Sequence, residues 1–61
     1  MVGGTYVITE ELGNLLKEGT VICIYAEDDN YYHIHVVRSP VNGFFSNFKV
    51  AKELKRYFRP I

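Results

Sequence analysis

Residues 49–59 read KVAKELKRYFR, and the fold turns on how they are wound. Taken as an α-helix, at about 100° per residue, Val50, Ala51, Leu54, Tyr57 and Phe58 fall within an arc of about 120°. Lys49, Lys52, Lys55, Arg56 and Arg59 fill a second arc of about 120°, nearly opposite, with no apolar residue among them. Asn47 or Ser46 would cap the start, the bases near the end suit the helix dipole, and Pro60 stops the helix. The spacing therefore predicts a C-terminal amphipathic helix. Phe48 would intrude on the basic arc, so it is assigned to a preceding strand. The same stretch has a second reading, in which 49–54 make one helical turn and 57–61 a closing strand. That reading gives a small SH3-like β-barrel of five strands. The clean separation of charge from apolar groups favours the helix.

Working back from there, Asn42-Gly43 suits a tight type I′ turn, because both residues tolerate positive φ. It separates a strand over 44–48 from one over 31–38. The polar run Glu27-Asp28-Asp29-Asn30 is a turn leading back to a strand over 20–26, rich in β-branched and aromatic residues. Pro40 cannot donate to a ladder, so pairing should weaken beside it. Thr9 to Gly19 carries Ile8, Leu12, Leu15 and Leu16 within about 100° of helical arc. Thr9 stands as an N-cap, Glu10 and Glu11 in the first turn, and Gly19 just past the end. A short N-terminal helix is expected there, with Thr5 to Ile8 as an edge strand at most. The expected architecture is α+β: a three-stranded antiparallel meander, or four-stranded with Thr5–Ile8, flanked by the two helices.

The chain has 61 residues, which makes one domain over 1–61. A domain of this size buries only ~60% of its unfolded surface, so the core is small. Hydrophobic residues make up 48% and charged residues 23%, a globular rather than a disordered balance. No apolar run approaches the ~20 residues of a membrane helix, and no basic-then-apolar leader opens the sequence. A membrane is not an expected partner. The single cysteine, Cys23, has no partner for an internal disulfide, whereas secreted chains this small usually hold several. The expectation is a complete small gene product in a reducing cytoplasm.

The formal net charge is zero, yet charge is unevenly placed. Residues 1–30 hold six acids and one base; residues 31–61 hold six bases and one acid. The basic set Lys49, Lys52, Lys55, Arg56 and Arg59 is thus either a solvated face or a docking face for an anionic partner. An acidic protein surface is one such partner and nucleic acid is another. The acidic half would repel a duplex, which makes nucleic acid the alternative rather than the leading reading.

The chemistry-bearing residues do not assemble into a catalytic set. His33 and His35 alternate along one strand and share a face. With a four-residue turn, Ala26 faces Tyr31 and Cys23 faces Ile34, which puts the thiol on the opposite side from both histidines. A zinc site needs three or four ligands, so no metal and no cofactor are expected. The same register places Val21, Cys23, Tyr25, Tyr32, Ile34 and Val36 on one face. Ile22, Ile24, Tyr31, His33, His35, Val37 and Phe48 share the other. A sheet face meant for water is polar, and this second face is not. The expected function is therefore that of a non-enzymatic protein-binding module: a regulator, inhibitor or accessory subunit. Its partner site is the face bearing Ile22, Ile24, Tyr31, His33, His35 and Val37, or the basic helix face. A protein partner is expected first, with a homodimer as one form of it. The alternative is a nucleic-acid binder using the basic helix, with Phe44, Phe45 or Tyr31 stacking on bases.

Overall fold

The computed structural model describes residues 1–13, 16–40 and 47–61. Its strands are β1 (Thr5–Ile8), β2 (Val21–Glu27), β3 (Tyr31–Arg38), β4 (Asn47–Ala51) and β5 (Phe58–Pro60), with a 3-10 helix (Lys52–Tyr57) before the last. All pairings are antiparallel and the order across the sheet is β4-β3-β2-β1-β5. β1 pairs with both β2 and β5, so the first and last strands lie side by side.

This corrects the expected α+β architecture. Among the described residues neither flanking α-helix forms. Residues 49–59 are split into strand, 3-10 helix and strand. The reason lies in Phe48 and Val50. They are two residues apart, so on a strand both point inward, and both pack on the core. A helix from Lys49 gives Phe48 no place. In the 3-10 helix the apolar pair becomes Leu54 and Tyr57, spaced at i, i+3, and Phe58 then enters β5 opposite Ile8. Val50, Leu54 and Phe58 also fit a helical period, which is why the two readings compete. Pairing decides between them. Strand β4 gains a ladder with β3 and strand β5 a ladder with β1, and an isolated helix of this length is marginal in water. No side chain caps the 3-10 helix; Ala51 precedes it in an extended conformation.

The described residues of the expected N-terminal helix, 9–13 and 16–19, likewise make a turning path between β1 and β2. Gly13, at the centre of that stretch, says why: it sits at φ +67°, a conformation that a right-handed helix interior does not contain. The Leu12 amide donates to the Leu16 carbonyl at 2.7 Å, the reverse of the helical direction. Thr9 caps no helix; its amide and its hydroxyl both donate to the Tyr57 carbonyl, at 2.8 and 3.2 Å. Gly19 donates to the Ile8 carbonyl while Ile8 donates to Thr20. Two residues of one strand thus oppose one of the other, as in a bulge opened by glycine. The buried Thr20 hydroxyl donates to the Lys17 carbonyl at 2.6 Å and closes the loop.

Of the expected third strand over 44–48 only 47–48 are described; they open β4, which runs on to Ala51. The Asn42-Gly43 turn, together with Phe44, Phe45 and Leu15, lies outside the described residues.

Between β2 and β3 the register differs from the expected one by two residues beside the turn and by one beyond Tyr25. Glu27 pairs with Tyr32 and Ala26 with His33, but Ile24 pairs with Ile34 and Cys23 with His35. Tyr25 is the extra residue of a bulge. A slip of one exchanges the two faces of a strand. The core therefore takes Ile22 and Ile24 from β2, with Tyr32, Ile34 and Val36 from β3. Ile8, Leu16, Val50 and Phe58 complete it. Cys23 joins His33 and His35 on the outer face.

Candidate functional site

Two surfaces follow from this fold. The outer face of the sheet carries what remains of the expected partner face. Ile22 and Ile24 are wholly buried and do not belong to it. Tyr31, His35 and Val37 are exposed and His33 is half-buried. Tyr25, displaced outward by the bulge, is 52% exposed and stands in their company. Its ring lies 6.3 Å from that of His33. His33 Nε2 meets Asp28 Oδ2 at 3.0 Å, and His35 Nδ1 meets the Asn47 side-chain oxygen at 2.8 Å. Asp28 Oδ1 accepts from the Asn30 and Tyr31 amides at 2.9 and 2.8 Å, so this aspartate both folds the β2–β3 turn and anchors His33. Those bonds, led by the one from Asn30, hold its carboxyl below the usual aspartate range. Glu27 is lowered chiefly by its bond to Lys52, at 2.8 Å, and the Lys52 amine is raised by the same contact. On this face His33 is thus partnered by Asp28 and His35 by Asn47, among the exposed Tyr25, Tyr31 and Val37. Among the described residues no three of His, Cys, Asp and Glu come together as a metal site.

The five bases of the expected helix face are spread over three elements. Lys49 is on β4, with its amine 5.4 Å from the Tyr31 ring centroid. Lys52 opens the 3-10 helix and is engaged by Glu27. Lys55 and Arg56 are exposed on that helix, and Arg59 is exposed on β5. They no longer compose one helical surface, because the helix that would align them is absent.

The second surface is a groove that the sequence reading did not anticipate. One wall is the β1–β2 loop, with Glu10, Glu11, Leu12, Gly13 and Leu16. The facing wall is β4, from Phe48 to Ala51, and Leu54 and Tyr57 of the 3-10 helix close one end. Its volume is about 530 Å³, within the ~300–1,000 Å³ usual for ligand sites. Leu12, Phe48 and Leu54 are half-buried and pack on the core, so the floor is an opened edge of the core itself. The Thr9–Tyr57 bonds fix the loop to the end of the 3-10 helix. On the loop wall Glu11 pairs with Lys17 at 2.9 Å. Glu10 enters no ion pair among the described residues.

Leu12 and Leu16 fit the apolar stripe of one helix and Leu54 and Tyr57 that of another, a fit that conceals their meeting. Two signals pointed the other way: the alternation of Phe48 and Val50, and Gly13 in the middle of the first supposed helix. Comparison with protein-family models, with curated proteins and with solved structures returns no match.

Proposed function

We propose that this chain is a non-enzymatic protein-binding module, a small accessory or inhibitory protein that holds a segment of its partner in the groove between the β1–β2 loop and β4. The observation that carries this reading is the groove's make-up. Leu12, Leu16, Phe48, Val50, Leu54 and Tyr57 line an open cleft of about 530 Å³ in a chain of 61 residues. An exposed apolar concavity with a polar rim is what a recognition site requires. Tyr57 and Phe48 supply the aromatic area that interface cores favour. A single thiol with no disulfide partner suits a reducing compartment, where we place its work.

Site-specific photocrosslinking in the native cell tests this. A benzoyl-phenylalanine at position 11, on the groove rim, costs only the exposed Glu11–Lys17 pair, which is worth little. It should give a discrete protein adduct. The same group at position 37, exposed at the far side of the sheet, should give none. Adducts from position 37 alone, or from neither position, would sink the groove reading.

A further inference from the structure

The groove exposes more than side chains. Its β4 wall is formed by four consecutive residues, Phe48 to Ala51. Alternate side chains of a strand point to opposite faces, so a cleft touching all four runs along the strand's edge. Among the described residues β4 is the terminal strand of the sheet, with no neighbour beyond it.

The hydrogen-bond pattern tells which backbone groups that edge presents. The Lys52 amide donates to the Asn30 carbonyl at 3.0 Å, which makes Asn30 and Lys52 a hydrogen-bonded pair in the β3–β4 register. Bonded and non-bonded pairs alternate along an antiparallel ladder. Tyr32–Val50 and Ile34–Phe48 are therefore bonded pairs, and His33–Lys49 and His35–Asn47 are not. The Lys49 amide and carbonyl thus point away from β3, toward the groove. The Lys49 side chain does not guard this edge, as lysines often do. Its amine folds back over Tyr31 of β3, 5.4 Å from the ring centroid. The other terminal strand, β5, ends in Pro60, which has no amide to offer.

Resting on the groove reading above, we propose that the partner segment binds as an extended strand added to the free edge of β4, with basic residues alternating with apolar ones. Main-chain bonds to Lys49 give the register, as in other cases of strand addition. Apolar side chains of the segment settle on Leu12, Leu54 and Tyr57. Its basic side chains meet the loop wall, where Glu10 has no cation among the described residues and Glu11 shares one. Opposite charge across a rim selects partners and register.

The probe is a short peptide of alternating arginine and valine, added to the full chain and followed by amide NMR. Leu12, Leu54 and Tyr57 resonances should move, and exchange of the Lys49 amide should slow by tenfold or more. A glutamate–valine peptide should bind at least tenfold more weakly. Lys49→Pro removes the edge donor without touching the β3 ladder, so the fold should persist. It should bind at least tenfold more weakly than Lys49→Ala, which loses the same charge and keeps the amide. If the groove resonances move but the two Lys49 variants bind alike and the Lys49 amide is unprotected, strand addition is wrong while the groove reading stands. Equal binding of the glutamate peptide, or no movement of groove resonances with either peptide, overturns the proposal. So does concentration-dependent protection of Lys49 without peptide, which would make a second copy of the chain the occupant.

Discussion

Ile24→Glu is expected to unfold this protein, whereas Tyr25→Glu at the next position is expected to leave it folded. Ile24 is wholly buried opposite Ile34, in the centre of the sheet. A carboxylate there has no cation and no donor, and an unpaired buried charge costs several kcal/mol. Domains of this size rarely hold more than about 3–5 kcal/mol in total. Tyr25 is the bulged residue, 52% exposed, and its replacement should change stability by no more than about 0.5 kcal/mol. Far-ultraviolet circular dichroism with a urea titration reads both. The contrast is sharp because the expected register had the opposite sense: Tyr25 inward, Ile24 outward on a partner face. A folded Ile24→Glu with an unfolded Tyr25→Glu would restore that register.

Ile34→Ala should cost about 2–5 kcal/mol, enough to leave little native population at room temperature. Ile34 is wholly buried, pairs with Ile24 on one side and Phe48 on the other, and so touches the core from three strands. The matched control is Val37→Ala on the same strand. Val37 is 50% exposed beside the second register shift, and its truncation should cost no more than about 0.5 kcal/mol. Urea midpoints compared at constant m-value measure the difference. Similar costs at the two positions would mean that β3 does not run through the centre of the core.

These two predictions rest on the part of the fold that local sequence states least well. Strand β3 lies over Tyr31–Arg38, where its alternating and β-branched residues put it, and β2 runs Val21–Glu27, one residue along from its expected span. The faces of β3 are readable from alternation alone. The faces of β2 are not, because they depend on Tyr25, and a bulge leaves no mark in a run of six β-formers. The helices failed for a different reason. Periodicity over 49–59 is satisfied by a helix and, at Val50, Leu54 and Phe58, by a strand–turn–strand path as well. The choice is made by partners far away in sequence: Ile8 for Phe58 and Tyr32 for Val50. In the first loop the sequence does carry a warning, since Gly13 interrupts the supposed helix at its centre.

The candidate site was hidden by the same ambiguity. Its two walls come from the two segments read as helices, and only the strand path of 47–51 brings Val50 and Leu54 against Leu12. Of the residues expected to form a partner face, Tyr31, His33, His35 and Val37 remain together on the outer sheet, and Ile22 and Ile24 are core. The basic set has no common helix face, because its residues are divided among β4, the 3-10 helix and β5.

Everything proposed for the groove requires that 47–51 be an edge strand rather than the start of a helix. Cross-strand proton contacts measure this directly. His33 and Lys49 form a non-bonded pair, in which the two α-carbons approach most closely. A strong nuclear Overhauser contact between the His33 and Lys49 α-protons is therefore expected in the native chain, with its counterpart between His35 and Asn47. If those contacts are missing, and Val50 to Phe58 show instead the α-proton to amide contacts three residues apart that mark a helix, then the edge, the groove and the partner strand fall together.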